Sequence, residues 1–269
     1  MVVSTIILRP PMSSRASSGE SRRRSDASRR TTIRRVSRWL AVLGSASCTL
    51  GDPAEADETT LKAVLFGSME AAASTFSSGG AKLVFDRFER DGPVALATAG
   101  GGVRLEGGGS SPIRMRLTTL GSALAGYQFI RDWGAVTVFA GPEASWEALS
   151  GPGFVLVQAM PLRMGLRLQG EVWARPTETT LATATLILGS ARSDAYVRLS
   201  WGTALFGAYL GPEAAAYGDA TDYRKWSVGL HATDYAIGGY HFRLSAGCQL
   251  EKPLNQWSPY VSLTVWNAL

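Results

Sequence analysis

The segment GLRLQGEVWARPTETTLATATLILG, residues 165–189, restricts the possible folds more than any other part of the chain. Side chains of a β-strand alternate between its two faces. Read as a strand, its first half places Arg167, Gln169, Glu171, Trp173 and Arg175 on one face and Leu166, Leu168, Gly170, Val172 and Ala174 on the other. One face is a row of charge, amide and indole, and the other holds nothing polar. A soluble sheet turns its apolar side to a core and its polar side to bulk water. A membrane barrel inverts this, with apolar residues toward lipid and polar residues toward a lumen.

The pattern recurs. In YHFRLSAGCQL, Tyr240, Phe242, Leu244, Ala246, Cys248 and Leu250 oppose His241, Arg243, Ser245, Gly247 and Gln249. In KWSVGLHATDY, Trp226, Val228, Leu230 and Ala232 oppose Lys225, Ser227, Gly229, His231 and Thr233. Helical spacing fits neither. Such runs predict about twelve strands: 62–72, 77–86, 93–103, 115–129, 135–145, 165–175, 179–190, 194–203, 205–217, 223–236, 239–250 and 258–268. Each has about the length a tilted strand needs to cross a bilayer. Connections read as short at ERDG, IRDWG, RPTET, WGTAL and YAIGG, and as longer at 102–113, 146–164 and EKPLNQWS. Alternating short turns and long loops, with an even strand number, put both termini on the periplasmic side. The final strand alternates through Val261, Leu263, Val265 and Leu269, though Leu stands where such barrels usually end on an aromatic residue. The expected fold is all-β: an antiparallel, up-and-down transmembrane β-barrel over residues 57–269.

The charge belongs elsewhere. Of 27 basic and 22 acidic residues, residues 1–38 hold ten Arg and two acids, so the remainder carries 17 against 20. A nucleic-acid partner has no electrostatic support. Residues 1–56 read as a disordered Arg/Ser-rich extension and export signal. RWLAVLGSASCTLG supplies the basic and apolar regions, and Ala54-Glu55-Ala56 a cleavage site. Ser28-Arg29-Arg30 only loosely resembles a twin-arginine signal. Cys48 lacks a Leu three residues earlier, as a lipoprotein acceptor would require. Cleavage there leaves Cys248 alone, with no intrachain disulfide or Cys-based metal site. No run of 18 or more apolar residues is present.

The segments LAGYQFIRDWG, FAGPE, LRLQGEVWARPTETTLATATLILGSARS, RLSWGTALFGAYLGPEAAAYGD, YRKWSVGLHATDYAIGGYHFRLSAGCQ and PYVSLTVWNAL together resemble the cellulose-biosynthesis BcsS family of alphaproteobacteria. The resemblance covers roughly residues 62–269. It implies an outer-membrane barrel associated with bacterial cellulose synthesis, with outer-membrane lipid, glucan and synthase-complex components as partners. It carries over no catalytic residues.

The candidate binding residues are those that would line the lumen or its mouth. Arg167, Glu171 and Arg175 alternate in sign along one face, and Trp173 and Trp266 offer aromatic surface for a sugar. Trp146 and Trp257 would lie in outer loops, and Trp201 and Trp226 in the lipid-facing girdle. VFAGPEASWEA and AYLGPEAAAYG repeat Gly-Pro-Glu late in two strands, as strand-ending kinks or as a device placing Glu143 and Glu213 at the mouth. The alternative is a lipid- or polysaccharide-modifying hydrolase centred on His231. Its nearest serine on the same face, Ser227, stands four residues away, about 13 Å along a strand, and Asp234 falls on the opposite face. Ser245 or Ser262 would have to approach from neighbouring strands. No catalytic residue, metal or cofactor is expected, and AGGGVRLEGGGSS reads as a flexible loop with no helix to hold phosphate.

Overall fold

The structure, a computed structural model, describes residues 62–85, 90–108, 111–151, 157–252 and 255–269. The leader, with Cys48 and the cleavage site at Ala54-Glu55-Ala56, lies outside the described residues. The strands are β1 (Lys62–Ala71), β2 (Thr75–Val84), β3 (Gly92–Gly108), β4 (Ser111–Arg131), β5 (Gly134–Ser150), β6 (Val157–Ala159) and β7 (Arg163–Ala174). They continue as β8 (Thr180–Gly189), β9 (Asp194–Leu205), β10 (Ala208–Gly218), β11 (Arg224–Ile237), β12 (Tyr240–Lys252) and β13 (Gln256–Ala268).

Antiparallel neighbours pair in chain order, and β1 meets β13 from Val64↔Ala268 to Ala71↔Val261, so the sheet closes on itself. Closure leaves no open edge. The three-residue β6 lies beside the end of β5, which also pairs with β7, so the ring itself has twelve strands. All twelve predicted runs fall on them.

The outer face is apolar. Leu65, Met69, Leu168, Leu186, Leu199, Leu230, Leu244 and Leu263 all stand exposed on it, as residues facing lipid should. Exposed aromatics gather near the end carrying the termini (Tyr127, Phe129, Trp133, Trp201, Tyr235, Tyr240) and near the opposite end (Trp226, Trp257). Trp146 and Trp257 lie within β5 and β13, not in loops.

The expected loop asymmetry is smaller than the sequence suggests, because β3, β4 and β5 run to 17, 21 and 17 residues and absorb most of segment 102–113. The glycines of AGGGVRLEGGGSS are therefore largely strand. Gly102 faces Phe76 across β2–β3, and an added Cβ there would stand 2.6 Å from the ring. Gly80 opposite Phe66, Gly126 opposite Phe139 and Gly247 opposite Tyr260 repeat the pairing. The aromatic residue covers the space a side chain would have filled. At the end carrying the termini, Phe206 (φ 51°) and Gly207 (φ 80°) make a two-residue turn with both φ positive, the hand that suits strand twist.

Both Gly-Pro-Glu sequences lie inside strands rather than ending them. Proline lacks an N–H, and at Pro142 and Pro212 the ladder is interrupted on one side only. Between β4 and β5, pairing skips from Ser122↔Glu143 to Ala125↔Ala140; between β9 and β10, it skips from Leu210↔Thr203 to Glu213↔Ser200. The other edges of these strands, toward β7 and β11, stay continuous. The preceding glycine lets the chains approach: a Cβ on Gly211 would stand 2.0 Å from the Trp201 carbonyl oxygen. Gly211→Ala should therefore destabilise the barrel by about 1–3 kcal/mol, measured as a lower urea midpoint of the refolded protein.

Candidate functional site: a filled lumen

The inward face is buried by other side chains, and its chemistry changes along the barrel axis. Near the end carrying the termini it is apolar. Val64, Phe66, Val84, Val94, Leu96, Leu124, Phe139, Trp173, Leu181, Tyr209 and Trp266 form one cluster drawn from most of the strands. Alternation alone assigned polar residues to the lumen, and this layer departs from that expectation. Trp173 on β7 and Trp266 on β13 stand six strands apart in either direction round the ring, yet their rings meet edge to face at 6.5 Å. The lumen is bridged wall to wall at that level. His241 stacks on Trp266 at 5.7 Å and 14°. Both indoles are thus engaged with protein and offer no open face to a sugar.

Asp234 lies at the edge of this layer. The sequence places it outward, but a bulge between Thr233 and Tyr235 shifts the β11–β12 register and Asp234 takes φ 68°. The extra residue turns the side chain inward, where it is buried. Its carboxylate meets His241 Nδ1 at 2.7 Å and Arg175 Nη2 at 3.6 Å. Arg175 also lies over the Tyr209 ring at 5.6 Å.

At mid-height the lumen is ionic. Glu213 stands here rather than at the rim, and its carboxylate accepts four hydrogen bonds. Arg198 Nη2 donates at 2.7 Å, Arg243 Nη2 at 2.8 Å, Ser245 Oγ at 3.0 Å and Tyr260 Oη at 2.7 Å. Across the barrel, Lys82 Nζ lies 3.8 Å from Glu171, while Gln169 Nε2 donates to Glu171 at 2.8 Å. Ser245 is the register partner of His231, but its hydroxyl is committed to Glu213, and His231 Nδ1 pairs with Thr233 Oγ1 at 2.7 Å. The described hydrogen bonds join His231 to no serine. The arrangement an activated serine requires is not assembled.

Toward the opposite end, Glu143 Oε1 accepts from the Ala191 amide at 2.9 Å, and its carboxylate lies 3.7 Å from Arg167. Above them Arg116 contacts Glu106 at 2.6 Å and Glu147 at 3.2 Å, and Arg192 contacts Glu147 at 3.1 Å. Asp219, in the β10–β11 loop, receives Arg104 at 3.0 Å and Arg192 at 2.8 Å. Burial raises the Asp219 carboxyl, but hydrogen bonding from Thr221 and the two guanidinium groups outweigh it and hold it below its ordinary value. A carboxyl depressed in the folded state contributes stability above its unfolded pKa, and that stability is lost as pH falls through the folded one. The Asp219 contribution, read as the difference in urea midpoint between the native protein and Asp219→Asn, should be constant from neutrality to about pH 5 and shrink below about pH 4.

Arg167, Glu171, Trp173, His231, Trp266, Glu143 and Glu213 are all buried inside the barrel, and Arg175 is partly covered at its end. They do not form one site, since they divide between the apolar layer, the mid-height network and the layer above. The sequence did not single out Lys82, Arg104, Arg116, Glu147 or Asp219. The first four lie on the inward parity of their strands, which was a usable signal; Asp219 lies in a loop, where no parity applies.

A closed ring of twelve antiparallel strands, greasy outside and packed with ion pairs inside, is a barrel of the outer-membrane type. The chain belongs to the cellulose biosynthesis protein BcsS family, whose model matches residues 64–269. Among solved structures it is similar to the KdgM porin in complex with disordered oligogalacturonate, at 8% identity and TM-score 0.41, covering 76% of this chain and 98% of that one. It is also similar to the translocator domain of the autotransporter NalP from Neisseria meningitidis, at 12% identity and TM-score 0.44, covering 79% and 90%. The transport unit of AIDA-I from Escherichia coli aligns at 10% identity and TM-score 0.32, covering 81% and 92%. Comparison with the curated proteins finds no match.

Proposed function

We propose that this protein is an exported outer-membrane barrel that takes part in cellulose production without catalysing a step and without passing glucan through its lumen. Residues 1–56 direct export, and the end carrying the termini faces the periplasm. The barrel acts at its two ends, holding glucan or docking components of the synthase complex. One observation carries this reading. The Trp173–Trp266 contact spans the ring, and a polymer of sugar rings has no path past it. The packed ionic layers above reinforce it, since threading a chain through them would break several buried ion pairs at once.

The test is deletion of the gene, with cellulose measured separately in the periplasm and outside the cell. Loss in both places is expected of a docking role. Accumulation in the periplasm would instead favour a conduit, and unchanged cellulose would remove the process altogether. His231→Ala should leave cellulose output intact. Complete loss with normal barrel assembly would point to chemistry at that residue.

A further inference from the structure

The long strands carry one part of the sheet past the membrane. A tilted strand crosses the hydrocarbon in about 9–11 residues. β4 has 21 residues and β3 and β5 have 17 each, whereas β8, β9 and β10 have 10, 12 and 11. Phe129 of β4 stands among the exposed aromatics near the end carrying the termini, so a crossing of about eleven residues reaches Thr119. Residues 111–118 therefore lie beyond the bilayer, at the opposite end. Register places residues 102–108 of β3 and 147–150 of β5 beside them, with β6 along the far edge. β2 pairs with β3 no further than Val103, and β7 with β5 no further than Ser145. These segments form a blade standing on one side of the mouth.

The inward face of the blade carries Arg104, Glu106, Arg116 and Glu147 of the ionic layer already described. Its outward face is apolar. Register sets Val103, Leu117, Ala148 and Ala159 in one row and Leu105 beside Met115 in the next. Ile113 and Val157 complete the face and are 56% and 70% exposed. None of these residues is charged. A sheet outside a membrane turns its polar face to water. Here the polar face is buried and the apolar one stands out where no hydrocarbon reaches it. A contiguous exposed apolar patch of this kind marks an interaction surface.

We propose that this face packs against the same face of a second copy in the same membrane. A two-fold contact sets one patch against itself, so a charged patch would repel its copy and an uncharged apolar one does not. The bilayer gives both copies the same orientation, which leaves a two-fold axis along its normal as the closed arrangement. About that axis, strands tilted by about 40° cross at about 80°, close to the orthogonal mode of sheet packing. The face is also continuous with the lipid-facing wall below it, so the two barrels lie side by side.

The test is disulfide cross-linking of the full chain in the outer membrane of intact cells. Val103→Cys, Leu105→Cys and Leu117→Cys are oxidised separately in a Cys248→Ser background, which removes the exposed native thiol. At least one should give a covalent dimer, and Leu230→Cys, exposed on the lipid-facing wall of β11, should give none. Adding Met115→Glu to the cross-linking variant brings like charges together across the axis and should lower the dimer yield at least about tenfold. That position lies outside the bilayer, so the barrel still assembles, which its heat-dependent gel shift checks. No covalent dimer from any of the three, or an equal yield from an assembled Met115→Glu barrel, overturns the proposal. Protection of the three thiols from a water-soluble maleimide, without a covalent dimer, assigns the face to a different protein and also overturns it.

Discussion

Reconstituted in a planar bilayer, the native barrel should give no discrete conductance steps, and a Trp173→Ala, Trp266→Ala variant should give them. The apolar layer offers no charged group to a hydrated ion, so it is the barrier whose removal should matter most for conductance. Its narrowest element is the pair of indoles meeting at 6.5 Å. Removing both replaces the bridge with a gap that fills with water, since Arg175, Asp234 and His241 border it. Each Trp→Ala change costs about 3–5 kcal/mol in a dry core, so the single Trp266→Ala variant serves as the milder companion. Conductance from the native protein, at the same level as the variant, would defeat the closed-lumen reading and restore the conduit.

The second large effect concerns Glu213. Replacing it with Ala leaves Arg198 and Arg243 facing each other inside the barrel with no carboxylate between them, and strips Ser245 and Tyr260 of their acceptor. Removing one partner of a buried ionic group costs about 3–5 kcal/mol, most of it the desolvation of the charges left behind. The expected result is a large drop in urea midpoint for the refolded barrel. Glu213→Gln, which keeps the shape and two polar atoms, should lie between native and Ala. Replacing Arg198 together with Glu213 by Met and Leu should recover part of the loss, because only one of the two guanidinium groups, Arg243, is then left without its carboxylate. Equal midpoints for native and Glu213→Ala would mean that water supplies what the carboxylate supplies here.

The strands were legible because period-two alternation is local: Leu166 through Arg175 shows its two faces without reference to any other segment. The lumen contents were not, for reasons that follow from register. Glu213 and Arg243 lie 30 positions apart, on strands that do not pair, and meet only because β10 to β13 curve round a common interior. Gly102 looked like part of a loop because its compensating residue, Phe76, is on another strand. Asp234 was assigned to the wrong face because a one-residue bulge reverses parity locally, and nothing in KWSVGLHATDY announces it. The apolar layer was missed because it is spread as one or two residues per strand, such as Val64 and Phe66 on β1 or Leu181 on β8, and is concentrated only when the ring closes.

The two proline interruptions divide the circumference unequally. Four consecutive strands, β5, β7, β8 and β9, lie between them on one side, and the remaining eight on the other. At each interruption two residues of either strand lack ladder partners, so local opening is expected first at these two points. Amide deuteration should be fastest at the seam positions Leu124 and Gly202 relative to their strand neighbours.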